Sequence, residues 1–228
     1  MRNFTLDGRL SSAAKFVRQG ARFADIGTDH AYLPIFLINQ GQVEYAVASD
    51  INEGPLTSAK ENARLFGVYD RMDFTLADGL DAIEKFKVTD IAICGMGGEL
   101  IFEIVKRAEF IKNPDVRLIL QPMSKFAELR HSLALLGYEI TDEAYSSSQG
   151  KYYVTLCASY TGNIREIDEI EAEFGKEAFL LDMTSEKREF LSKRMASLKK
   201  AALGKEKGGD ASPTERKLYD YVSKILGR

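Results

Sequence analysis

The chain is poor in the residues that build cross-links and metal sites. It has two cysteines, Cys94 and Cys157, and two histidines, His30 and His131. Two thiols cannot make a disulfide framework, so a reducing cytoplasm is the expected compartment. With none of these four residues at close ligand spacing, a structural zinc site is not expected either. Long apolar runs are also missing. None approaches the roughly 20 residues that a membrane span requires. The opening Met1-Arg2-Asn3-Phe4-Thr5 has no apolar signal core, so no secretion signal is expected. Charge of either sign is not in marked excess: 31 basic against 34 acidic residues leave a net −3. A nucleic-acid partner is neither demanded nor forbidden by that balance, and the local distribution has to decide.

The 228 residues are 45% apolar and 29% charged, an ordinary folded composition. Against a prior of roughly 150 residues per domain, the length suggests one full domain and an appendage. From Arg22 to about Tyr160, short apolar runs alternate with helical patterns. The runs Phe23–Ile26, Ala46–Ala48, Phe74–Leu76, Ile91–Cys94 and Leu118–Leu120 lack polar alternation, as strands covered on both faces do. Helices are expected at Tyr32–Gln40, Pro55–Phe66, Glu99–Ala108 and Lys125–Leu136, with Pro55 at a first helical position and Gly137 at a helix end. Such βα repeats predict a parallel, doubly wound α/β sheet. After Gly137, Tyr138–Asp142 and Tyr152–Ala158 read as two consecutive strands joined by a polar loop over Ser146–Gly150, hence an antiparallel hairpin. The boundary expected near residue 160 separates this domain, 1–160, from a helical unit, 161–228.

In that second unit, Asn163 with Glu166 resembles a capping box, and Ser212-Pro213-Thr214-Glu215 is a better one. Leu180, Met183, Leu191, Met195, Leu198 and Ala202 form an apolar stripe, and Leu218, Tyr221, Val222 and Ile225 repeat it beyond the flexible stretch Gly204–Ala211. Residues 161–186 carry two basic and eight acidic side chains, while 187–207 carry eight basic and two acidic ones. Two readings follow: a helical hairpin with complementary faces, or a basic arm on RNA phosphates.

Doubly wound sheets bind ligands beyond the carboxyl ends of their strands. Those ends here are Asp25-Ile-Gly27-Thr-Asp29-His30, then Asp50-Ile51, then Asp78-Gly79, then Gly95-Met96-Gly97-Gly98. A dinucleotide loop needs G-x-G-x-x-G so that backbone amides reach a pyrophosphate. In this first loop Asp29 stands at the second glycine and Tyr32 at the third. A carboxylate beside a diphosphate is repulsive, whereas S-adenosylmethionine has no phosphate and carries a sulfonium and an ammonium. Asp50, 25 residues after Asp25, suits ribose hydroxyls, and Asp78-Gly79 suits an adenine amino group. The pattern favours a class I methyltransferase over an NAD-dependent oxidoreductase.

The strings Asp25-Ile-Gly-Thr-Asp-His-Ala-Tyr-Leu-Pro34, Glu53-Gly-Pro55, Asp78-Gly-Leu80, Gly95-Met-Gly-Gly98 and Leu118-Ile-Leu-Gln-Pro122 resemble the bacterial tRNA adenine N1-methyltransferases that modify adenosine 22. Arg9-Leu10-Ser11 and Gly150-Lys-Tyr-Tyr153 are similar too, so the resemblance covers residues 8–160. It implies a Rossmann-like class I methyltransferase sheet, S-adenosylmethionine as donor, a tRNA substrate and a C-terminal coiled-coil-like appendage. The chain departs from the family at Ser49-Asp50, where Gly-Glu is usual, and at Met123, where Asn follows Gln-Pro.

The expected donor contacts are Asp25, Gly27, Asp29, His30, Asp50, Ile51, Asp78, Gly79, Gly95 and Met96. Adenine N1 attacks through its own lone pair, so catalysis rests on positioning and on stabilising a cationic product. Asp29 is the candidate to accept a hydrogen bond from the adenine N6; its alternative is to cap the helix starting near Ala31. Tyr32 is a candidate stacking face for a flipped base, and Arg9 a candidate site contact. Lys15 and Arg18 read as a solvated helix face. Gln121 either bonds the target base or ends a strand before Pro122. Cys94 reads as a buried strand residue, not a nucleophile.

Overall fold

The computed structural model describes residues 4–207 and 213–227. Its strands form one sheet in the order β3-β2-β1-β4-β5-β7-β6. The strands are β1 (Phe23–Ile26), β2 (Ala46–Asp50), β3 (Met72–Leu76), β4 (Asp90–Gly97), β5 (Arg117–Ser124), β6 (Tyr138–Ser148) and β7 (Lys151–Tyr160). The first five are parallel, and β7 enters antiparallel between β5 and β6. Continuous apolar runs such as Phe23–Ile26 and Ile91–Ile93 are buried throughout because helices cover both faces.

Around the sheet lie α1 (Gly8–Phe16), α2 (Tyr32–Asn39), α3 (Glu53–Leu65), α4 (Gly98–Arg107) and α5 (Phe126–Leu135). Helix α3 starts two residues earlier than expected, so Pro55 is its third residue. Proline is tolerated there because the first N–H groups of a helix have no internal partner. Gly137 does end α5, at φ 82°. Glycine is obligatory at position 98, where α4 starts. An added Cβ would strike the Lys125 carbonyl oxygen and lie 2.9 Å from that of Ser124. Gly98→Ala should therefore cost about 1–3 kcal/mol, read as a lower urea midpoint at unchanged m-value.

The sequence expectation at the hairpin was too short. Ser146–Ser148 belongs to β6, and the turn is only Gln149-Gly150, both at positive φ (49° and 73°). That pair is a tight turn whose twist matches the strands. The Asn163–Glu166 box is not formed. Residues 161–168 are non-helical, and Asp168 caps α6 (Glu169–Phe174) by accepting from the N–H groups of Ile170 and Glu171 at 3.0 and 2.8 Å. Then come α7 (Glu177–Leu180), α8 (Ser185–Lys207) and α9 (Pro213–Leu226). Pro213 opens α9 as read; Ser212, and residues 208–211 of the Gly204–Ala211 stretch, lie outside the described residues.

Leu180, Leu191, Leu198, Leu218 and Val222 bury their side chains with Phe174 in a cluster of their own. The unit leans on the hairpin through Phe190, whose ring lies 5.1 Å from that of Tyr145 and 5.5 Å from that of Phe126. The charge segregation is used in part: Arg194 of α8 pairs with Glu173 of α6. Arg18 corrects another expectation. It is no solvated helix residue but lies beyond α1 and grips the fully buried Asp90 with Nε at 2.8 Å and Nη2 at 2.5 Å, while Nη2 also donates to the Thr89 and Asp115 carbonyls.

Candidate active site

Strand order reverses between β1 and β4, and a cleft of about 860 Å³ opens beyond their carboxyl ends. Its volume falls in the range of small-molecule sites. Asp25, Gly27, Thr28, Asp29, His30 and Tyr32 come from β1 and the following loop, Cys94 and Gly95 from β4, and Arg9 from α1. A side chain at Gly27 would be strained: its φ is 72°, and an added Cβ would displace Cε of Met96. Met96 thus packs beneath the loop and does not line the cleft.

Three of the loop's amides are bonded internally. Gly27 N–H and Thr28 N–H both donate to the Ser49 carbonyl (2.8 and 2.9 Å), and Ala31 N–H donates to Thr28 Oγ1 at 3.1 Å. These amides are not free to cradle a pyrophosphate, which agrees with a donor lacking phosphate. Thr28, not Asp29, tethers the start of α2. Asp29 makes no capping bond, so the capping alternative is not realised. Its carboxylate is 78% exposed and pairs with His30 Nε2 at 3.3 Å. The His30 ring stacks on Tyr32 at 5.3 Å, and Tyr32 meets Phe4 at 5.6 Å, giving the cleft an aromatic wall.

Asp25 forms the floor. Burial raises its pKa to about 6, against smaller lowering effects from a Thr28 hydrogen bond and the Arg9 charge; Asp50 nearby adds to the rise. A buried carboxylate with so little compensation suits a cationic ligand. Burial also pushes the Cys94 thiol up, well away from thiolate chemistry.

Gln121 follows neither of the two sequence readings. It is buried inside β5, where its Oε1 accepts from Arg9 Nη1 (3.3 Å) and Gly95 N–H (3.1 Å) and its Nε2 donates to the Pro122 carbonyl (2.9 Å). It ties α1 to the end of β4.

The other expected donor residues stand outside the cleft lining. Asp50 ends β2, and its Oδ1 accepts from Asn52 N–H at 2.8 Å; Ile51 beside it is exposed. Asp78 bonds Arg107 Nη1 at 3.1 Å, which holds its carboxyl below the ordinary range. Gly79, at φ 58°, packs against Ile104. The sequence reading missed Phe4, Leu6, Asp7, Asn62, Leu65 and Phe66, all of which line the cleft. Asn62, Leu65 and Phe66 have the i, i+3, i+4 spacing of one helix face, which was the available signal. The Asn62 amide donates to the His30 carbonyl at 3.0 Å.

Sheet order, hairpin and acid-lined switch point define a Rossmann-like methyltransferase, and a methyltransferase-domain family model matches residues 6–156. The tRNA (adenine(22)-N(1))-methyltransferase of Bacillus subtilis is 35% identical over 158 residues, covering 69% of this chain and 66% of that relative's length. A Streptococcus pneumoniae structure, described as a putative tRNA (m1A22) methyltransferase in complex with S-adenosyl-L-methionine, superposes with a TM-score of 0.82 at 31% identity, over 96% of this chain and 98% of that one. Mycoplasma capricolum TrmK with S-adenosyl-homocysteine gives 0.76 at 26% identity, over 98% and 97%. The chain belongs to this bacterial tRNA (adenine-N1)-methyltransferase family.

Among the described residues no helix is long and apolar enough to cross a membrane, and no group of three or more His, Cys, Asp or Glu is placed to hold a metal ion.

Proposed function

We propose that the chain is an S-adenosylmethionine-dependent methyltransferase acting on N1 of adenosine 22 in cytoplasmic tRNA. Residues 1–160 carry the chemistry and 161–228 form the helical unit. The observation that carries this reading is the buried Asp25 carboxylate, flanked by Asp29, at a switch-point loop in which the Gly27, Thr28 and Ala31 amides are already bonded. Family membership supports the donor and the acceptor alike.

When bound, S-adenosylmethionine supplies an electrophilic methyl group on a sulfonium. Asp25 and Asp29 give that cation, and the donor's ammonium, a negative wall. Gly27 and Gly95 let the backbone approach, with His30 on one side and Met96 supporting from beneath. Asp50 and Ile51 after β2, and Asp78 and Gly79 after β3, lie beyond the cleft lining and would hold the donor's ribose and adenine where it extends past the cleft along the strand ends. Tyr32 stacks on the extruded target base, and Asp29 accepts a hydrogen bond from its N6. The N1 lone pair then forms the N–CH₃ bond as the S–CH₃ bond breaks, and the pair of that bond stays on sulfur. No base has to remove a proton. Asp29 offsets the positive charge left on the adenine, and Arg9, held by Gln121, provides a fixed positive charge facing the substrate.

Labelled donor and unmodified bulk bacterial tRNA, followed by nucleoside mass spectrometry, should yield 1-methyladenosine. Met123 in the cleft lining favours a second reading, in which another RNA base or a small molecule is the acceptor. A different methylated product would select it, and donor binding without any transfer would leave a non-catalytic binding protein. Asp29→Ala should lower kcat about a hundredfold. An unchanged kcat would remove Asp29 from the reaction.

A further inference from the structure

A second cavity of about 380 Å³ lies between the Gln149-Gly150 turn and α8. In a chain of net charge −3, its lining includes Lys151, Lys193 and Arg194 and no acidic residue. Arg194 is committed to Glu173, so the available charges are those of Lys151 and Lys193, both exposed. Lys193 is held in place: its Nζ donates to the Gly150 carbonyl at 3.1 Å and lies 4.4 Å from the centroid of the Tyr152 ring. Tyr153, the next residue of β7, also lines the groove, with its side chain directed to the other face of the strand. Met123 lines this groove and the active-site cleft alike, so the two adjoin at that residue.

We propose that this groove binds a nucleotide flanking the target adenosine, its base against the Tyr152 ring and its phosphate at the ammonium groups of Lys193 and Lys151. Adjacent cations and an aromatic face match the two halves of a nucleotide, phosphate and base, and are what single-stranded RNA sites combine. An acidic peptide would use the charges and leave the ring idle. The groove gives the helical unit a task in substrate recognition, because α8 supplies one wall and the hairpin the other. This inference rests on RNA being the substrate of the adjoining cleft.

Binding of unmodified tRNA to the full chain, followed by fluorescence anisotropy across a salt series, tests the groove without needing turnover. Tyr152→Leu should raise the tRNA Kd about tenfold. Lys151→Ala should weaken binding and reduce the salt slope by about one. Both variants should keep the wild-type circular dichroism spectrum and donor affinity, and Lys151→Arg should restore binding. Unchanged tRNA Kd and salt slope in both variants would overturn the proposal. So would a polyglutamate peptide that displaces tRNA from the wild type but not from the Lys151 variant. Formation of 1-methyladenosine is scored separately. If the wild type transfers no methyl group, the catalytic reading fails, while the anisotropy series still decides the groove.

Discussion

Asp25→Asn is expected to stabilise the free protein while removing its affinity for the methyl donor. The carboxyl is buried, and its pKa rises from 3.8 to about 6. Such a group holds more protons folded than unfolded between about pH 4 and 6. Its contribution therefore becomes unfavourable as pH rises through that window, and the full cost is present above pH 6. A shift of this size corresponds to about 3 kcal/mol, already net of the favourable Arg9 interaction, and it is an upper bound on what the amide recovers because Asn does not reproduce the hydrogen bonding of the neutral acid. The melting temperature at pH 7 should rise by several degrees. Donor binding should move the other way: the wild-type Kd should increase as pH falls from 7 to 5, by up to tenfold per unit below about 6, because the proton and the cationic donor compete for one carboxylate. Calorimetry over that range checks both. A pH-independent Kd, or an Asn variant that binds the donor normally, would show that Asp25 is not the donor's counter-charge. Wild-type melting behaviour in that variant would contradict the stored cost.

The two halves of the cleft differed in how readable they were. Asp25, Gly27, Asp29, His30 and Gly95 were legible because strand–loop–helix junctions put them at one sheet edge whatever the rest of the chain does. The opposite wall was not. Phe4 reaches Tyr32 and Phe66 only because α1 folds back over the sheet, and no local pattern encodes a contact across some 60 residues. Gln121 is a sharper case. Its amide looked available to a ligand, yet burial in β5 turns it toward Arg9 and Gly95, a partnership fixed by strand register and helix docking. The serines of β6 read as loop because their propensity is weak, and tertiary pairing with Lys151–Tyr153 overrode it. Asn163 and Glu166 had the right spacing for a cap, yet residues 161–168 stay non-helical, and Asp168 took the role instead.

Cleft and groove meet at the end of β5, so the placement of α8 bears on substrate handling as well as on stability. One buried ion pair contributes to that placement through α6. Arg130 of α5 and Glu143 of β6 are almost wholly enclosed, joined by two parallel bonds, Nε to Oε1 at 2.8 Å and Nη2 to Oε2 at 2.9 Å. The third guanidinium nitrogen, Nη1, donates to the carbonyls of Ala172 and Glu173 at the end of α6, and Tyr145 Oη donates to Glu143 at 3.2 Å. Arg130→Ala would strand a buried carboxylate and two carbonyls, at a cost of about 3–5 kcal/mol. That is a large part of the 5–15 kcal/mol typical of a folded domain. The double variant Arg130→Met with Glu143→Leu should recover the part of the loss due to the stranded carboxylate, because a packed apolar pair replaces a dehydrated ionic one, while the Ala172 and Glu173 carbonyls stay unpaired. Urea titration of the singles and the double separates these terms, and a single variant no less stable than the double would refute the account. The same experiment reaches function. Glu173, whose carbonyl Arg130 holds, also anchors Arg194 on the groove wall. In the double variant, donor affinity should stay at the wild-type value while tRNA affinity falls, since α6 loses a tether that helps fix α8 against the hairpin.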